Sequence, residues 1–211
     1  RTVGAAWRLS PDLSLLLRDV SDRSQGQAAD RVFDRTQLGL AWRPAEGGPW
    51  NGLLKVERRA ERDDLASQLR RQVALLSVAV NYQPQGSARY SAFYAGKLAQ
   101  ETSDGLRSST GAHMVGGRVV WELSPGWDVG VTGARFFGSG DQGDQYGLGL
   151  EAGYRLSRDL WLSAGYNFLG FEDRDFGVDN YTSQGPYLRL RFKFGSDEFG
   201  ADPAAEPEES P

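Results

Sequence analysis

Residues 146–168 read YGLGLEAGYRLSRDLWLSAGYNF. Tyr146, Leu148, Leu150, Ala152, Tyr154 and Leu156 alternate with Gly147, Gly149, Glu151, Gly153 and Arg155. After Ser157-Arg158-Asp159 the alternation resumes, with Leu160, Leu162, Ala164, Tyr166 and Phe168 set against Trp161, Ser163, Gly165 and Asn167. A period of two sends successive side chains to opposite faces of a strand, so this stretch is a β-hairpin with one apolar face and one small or polar face. The pattern returns near the end of the chain, where Leu188, Leu190, Phe192 and Phe194 alternate with Tyr187, Arg189, Arg191 and Lys193.

Working outward, the same unit repeats. An aromatic residue and a polar one precede a short turn at Trp7-Arg8, Trp42-Arg43, Tyr82-Gln83, Trp121-Glu122 and Tyr154-Arg155, at intervals of 33 to 40 residues. Two strands, one tight turn and one longer connection fill that period. Eleven strands are expected at about 2–9, 13–20, 35–43, 51–60, 71–83, 88–98, 114–123, 127–137, 145–156, 159–171 and 186–194, with ends good to ~2 to 4 residues. Long polar loops are expected at 21–34, 61–70, 99–113, 138–144 and 172–185. Short turns at one end and long loops at the other are the asymmetry of outer-membrane barrels.

Composition narrows the class. The 211 residues include no Cys and a single His113, which removes disulfide scaffolds, thiolate metal sites and cysteine nucleophiles. A net charge of -4 gives no basic excess that would suggest nucleic acid. Mean hydropathy is -0.50, and no run of ~18 uncharged apolar residues is present, so a helical span is excluded while a barrel is not. A soluble sandwich also alternates, but two features favour a membrane. Aromatics gather beside the short turns (Trp7, Trp42, Tyr82, Trp121, Trp127 and Tyr154), where an apolar ring with one polar handle suits the interface. Phe136, Phe137, Phe168 and Phe171 offer a second girdle near the long connections.

The other face is rich in Gly, Ser and long charged side chains, as a curved sheet around a wet or ion-paired lumen requires. The fold class is therefore all-β: an antiparallel up-and-down transmembrane barrel of about 12 strands, 11 of them in this chain. Even strand numbers are the rule in bacterial single-chain barrels, and one upstream strand is expected to complete the count. Residues 1–194 form the barrel domain. Residues 195–211, dominated by Asp, Glu, Pro and Ala, are expected to be a disordered periplasmic tail.

Strand parity predicts a basic lumen: Arg8, Arg18, Arg43, Lys55, Arg59, Arg89, Lys97, Arg118, Arg155, Arg189, Arg191 and Lys193, against Glu57, Glu122, Asp128 and Glu151. Such a lumen either favours anions by focusing the field or is filled by side chains paired across strands. Arg58 and Arg135 fall on the apolar parity and are expected at wet strand ends or beside a bulge. Glu172, Asp173, Asp175, Asp179 and Asn180 read as a solvated external loop, since their spacing does not match a calcium-binding EF-hand. No G-x-S-x-G elbow accompanies Ser109 and His113, so a barrel lipid hydrolase ranks a distant third. Asp175-Phe176-Gly177 and Gly147-Leu148-Gly149 lack the companion motifs of kinases and nucleotide sites.

The stretch 161–194, WLSAGYNFLGFEDRDFGVDNYTSQGPYLRLRFKF, resembles the closing strands of barrel domains at the C-termini of large, multidomain bacterial outer-membrane proteins. Its elements are Gly165-Tyr166-Asn167, Gly170-Phe171, Asp173-Arg174-Asp175, Tyr181-Thr182, Gly185-Pro186-Tyr187 and the basic-aromatic end. The resemblance covers about a sixth of the chain and implies an anchoring or surface-display barrel with no catalytic residues. The expected partners are outer-membrane lipid, the barrel-assembly machinery and the upstream part of the same polypeptide. No nucleic acid, cofactor or metal is expected. The alternative function is a small passive pore for anionic solutes.

Overall fold

A computed structural model describes residues 1–25, 30–63, 69–139, 143–157, 160–171, 173, 175, 176 and 183–192. The strands are β1 (Thr2–Arg8), β2 (Leu13–Gln25), β3 (Asp30–Trp42), β4 (Trp50–Asp63), β5 (Leu69–Tyr82) and β6 (Ala88–Ser103), then β7 (Leu106–Ser124), β8 (Trp127–Gly138), β9 (Asp144–Arg155), β10 (Leu160–Leu169) and β11 (Gly185–Phe192). They form one eleven-stranded sheet in strict sequence order, every pairing antiparallel. Among the described residues, β1 and β11 each pair on one side only.

Register fixes the faces, because directly opposed residues share one. Leu15 opposes Trp7 and Leu40, and Leu54 opposes Leu40 and Val78. This outward set stays exposed, with Trp42, Leu76, Trp121, Leu150 and Leu190 all left uncovered by the chain. On the inward face Glu57, Lys97, Asp128, Glu151, Ser163 and Asn167 are buried. A sheet with its apolar side bare and its charges covered is the inverse of a soluble sandwich, whose core takes the apolar side.

Glycines on the inward parity make room for long side chains. A Cβ at Gly130 would come 2.7 Å from the Glu151 Cγ on β9, and one at Gly165 would stand 2.5 Å from the Tyr187 hydroxyl on β11. Residues opposed across a strand pair sit ~5 Å apart, so a bulky inward residue is accommodated only if its partner is small.

Two expectations are corrected. The connection between β6 and β7 is a two-residue turn rather than a loop over 99–113. Asp104 and Gly105 have φ of +51° and +80°, as a type I′ hairpin needs. Strands likewise fill much of 21–34, since β2 extends to Gln25 and β3 begins at Asp30. Polar residues continue these strands because ladder hydrogen bonding persists where the wall leaves lipid. Second, Phe136 and Phe171 are not girdle residues. They are 1% and 5% exposed and pack together inside, ring centroids 5.3 Å apart, whereas Phe168 faces outward. The tail at 195–211 lies outside the described residues.

Candidate functional site

The connection from β10 to β11 enters the barrel. Phe171 packs with Ala95, Ala112, Met114 and Phe136. Phe176 touches that cluster and a second one of Val73, Leu75 and Ala99. The inward parity of β5 to β8 is thus apolar at this level, which a wet lumen would not require. The two phenylalanines cover it.

The carboxylates of the same connection meet cations on the far wall. Lys97 on β6 donates to Asp173 at 2.5 Å and to Asp175 at 3.1 Å. Arg71 on β5 donates to both carboxylate oxygens of Asp175, at 2.9 and 2.7 Å. Arg59 on β4 donates to the Asp175 backbone carbonyl at 3.1 Å. The Asp175 side chain is 1% exposed. Burial alone pulls its carboxyl upward, but hydrogen bonds from Arg71 and Lys97 outweigh it and hold the group below its ordinary range. Asp173 and Asp175 are therefore not the solvated loop carboxylates the sequence suggested. These two carboxylates and the neighbouring Phe171 and Phe176 meet a cationic wall and an apolar patch on the inward face. The carboxylates are occupied by arginine and lysine, and no three acidic or histidine side chains are grouped for a metal among the described residues. Glu172, Asp179 and Asn180 lie outside those residues.

Other inward charges pair along the wall. Glu57 accepts hydrogen bonds from Arg35 at 3.0 Å, Gln37 at 2.6 Å and Arg59. Lys55 lies 3.8 Å from Glu57. Glu151 pairs with Arg118, with Arg189 at 3.5 Å and with the Tyr187 hydroxyl at 3.1 Å. Arg89 bonds Asp128 at 3.0 Å. Buried carboxylates of this kind are stable only when paired and hydrogen-bonded.

Register places Arg8, Arg18 and Arg155 on the inward parity. Arg8 and Arg43 line an open vestibule of 1510 Å³ at the short-turn end, together with Asp12, Asn51 and Gln85. Arg191 opposes Trp161, and Lys193 lies outside the described residues. Sequence reasoning missed Arg35 and Arg71, the first residues of the strands expected at 35–43 and 71–83, and it missed Arg31 and Asp63, which lie on strand extensions read as loop and pair at 3.1 Å.

On the outward face, the rings of Trp50 and Tyr82 pack tilted with centroids 4.4 Å apart, and those of Trp127 and Tyr154 at 4.7 Å. Trp7, Trp42 and Trp121 are exposed beside the same short turns. Arg135 faces outward, pairs with Asp144 at 2.6 Å and lies over Phe137 and Tyr146. His113 also faces outward, its Nδ1 2.7 Å from the Tyr94 hydroxyl. Ser109 is four residues away on the same strand, ~13 Å at 3.3 Å per residue, beyond the reach of a nucleophile and its base.

No family model matches the chain, and no curated protein does. Solved structures do. The anion-selective porin from Comamonas acidovorans superposes with a TM-score of 0.61 at 11% identity, over 90% of this chain and 57% of its own. The siderophore receptor PirA from Pseudomonas aeruginosa gives 0.59 at 15% identity, over 85% of this chain and 35% of its own. The fold is that of an outer-membrane β-barrel. This barrel chain spans little more than half of the porin and about a third of the receptor.

Proposed function

We propose that the chain is a structural barrel in a bacterial outer membrane, anchoring or displaying a larger polypeptide, with its C-terminus on the periplasmic side. Closure in lipid satisfies the backbone of each strand while the exposed leucines, valines and aromatics contact acyl chains. The observation that carries the anchoring reading is the β10–β11 connection, whose Phe171, Asp175 and Phe176 cross the interior to β4, β5 and β6. A conduit gains nothing from filling its middle with an apolar cluster and ion pairs. Outer-membrane lipid, the assembly machinery and an upstream region are the partners of this reading, and no catalytic role enters it.

A second reading is a narrow pathway for anions. It is favoured by the inward arginines Arg8 and Arg43 at the vestibule and by the fold shared with an anion-selective porin. Planar-bilayer conductance of the refolded chain separates the two. An anchor is silent. Steady channels with an anion-selective reversal potential in a salt gradient would replace the anchor by the pore.

A further inference from the structure

The outward face carries a row of charge above its apolar belt. Following the register from strand to strand, Arg23 on β2 opposes Val32 on β3, Val32 opposes Arg62 on β4, and Arg62 opposes Arg70 on β5. Arg70 then opposes Thr102 on β6, which opposes Arg107 on β7. The row thus holds four arginines and no acid, and all four are exposed. Arg107 donates to Gln100 at 2.9 Å. No hydrogen bond or ion pair engages Arg23, Arg62 or Arg70 among the described residues. Asp34 shares this face, opposite Ala60, and bonds none of them. Directly opposed like charges destabilise a strand pair, so the Arg62–Arg70 juxtaposition, with no acid bonded to it among the described residues, favours a bound anion.

Depth identifies the source of that anion. Arg62 and Arg70 are each twelve residues along their strands from Trp50 and Tyr82 in the aromatic ring at the short turns. At ~3.3 Å per residue and a tilt of ~35–45°, they stand roughly 30 Å above that ring, just past an apolar band of ~25 Å. The positions between them and the ring include Leu38, Val56, Leu76 and Leu98, all exposed and apolar. Headgroup phosphates of the far leaflet lie at the arginine level, with acyl chains against the leucines below. Arginine suits phosphate because its planar fork donates two parallel hydrogen bonds.

We infer that Arg23, Arg62, Arg70 and Arg107 form a binding site for the phosphorylated headgroup of an outer-leaflet lipid on the β2–β7 wall. The inference depends on the barrel and not on whether its lumen conducts. Neighbouring strands are ~4.8 Å apart, so the central pair can grip one phosphate while Arg23 and Arg107, each two strands away, reach a second or a neighbouring lipid.

The test is lipid retention by the full 211-residue chain refolded in micelles. The micelles are doped with a bisphosphorylated diglucosamine lipid or with the same lipid stripped of both phosphates, and co-purified lipid is counted by native mass spectrometry. Wild type is expected to retain the phosphorylated form at least tenfold over the stripped form. R62Q/R70Q is expected to lose that preference, R62K/R70K to keep most of it, and R23Q alone to weaken it two- to threefold. Each variant is first checked for the heat-dependent gel shift of a folded barrel. Equal retention of both lipids by wild type would overturn the site, as would an unchanged preference in a folded R62Q/R70Q. Complete displacement of the lipid by millimolar inorganic phosphate would assign the arginines to a free anion and overturn the lipid reading.

Discussion

Asp175, on the connection between the last two strands, accepts two hydrogen bonds from Arg71 of β5, 104 residues earlier in the chain. That pair spans the interior and ties the closing hairpin to the opposite wall. Removing the carboxylate leaves the buried Arg71 with only the partly exposed Glu101, at 3.4 Å, and Lys97 with only Asp173. D175N is therefore expected to lower stability by about 3 kcal/mol, the scale for breaking a buried pair on one side. It is also expected to raise single-channel conductance above that of wild type. Denaturant titration in micelles and planar-bilayer recordings check both, and identical traces for the two proteins would remove the connection from any plugging role.

The sign of the pH response follows from the same carboxyl. Its folded value lies below the ordinary 3.8, so its contribution is fully present above that value and is lost as pH falls through the lowered one. Conductance is expected to stay flat from neutral pH down to the ordinary carboxylate range and to rise only in stronger acid. Opening at pH 6 would show that another group holds the connection.

Leu16 and Leu17 are adjacent, identical and on opposite faces. Leu17 opposes Ala5 and Leu38 outside, whereas Leu16 opposes Ala6 and Gly39 inside and is 40% exposed. L17R is expected to cost ~2 to 4 kcal/mol near mid-membrane depth, and L16R distinctly less. Folded fractions from the heat-dependent gel shift measure the difference. Equal penalties would contradict the lipid-facing assignment of the parity.

Gly165 is small because Tyr187 fills the space beside it. G165L is expected to destabilise the β10–β11 pairing by ~1 to 3 kcal/mol through overpacking. Combining it with Y187A relieves the overlap and is expected to recover part of the loss. A double variant no better than G165L would mean that the glycine serves some other purpose.

Eleven strands, their order and their faces were legible in the sequence, because period-two alternation survives in each strand between Trp or Tyr and the polar rim. Strand lengths were less so. Asp104-Gly105 is a strong hairpin signal, yet it sits inside polar residues that read as loop. The interior was the hardest part. Nothing local marks Phe136 as inward-packed or Asp175 as the partner of Arg71, since Phe171 covers the one and Arg71 meets the other only when the β10–β11 connection is carried across the interior. Alternation alone would also make Gly149 a tolerant inward position, but the Asn167 amide occupies the place a Cβ would take.

The sheet pairs each strand with its sequence neighbour, so the wall assembles hairpin by hairpin with short loop closures. The contacts of Asp173 and Asp175 are the exception, reaching 76 to 116 residues back along the chain. They form only after the wall has curled far enough to bring the β10–β11 connection across to β4, β5 and β6, which makes them a late latch in folding. A barrel stalled before that point would hold its lipid face complete and its interior open, vulnerable from within to proteases that a finished molecule excludes.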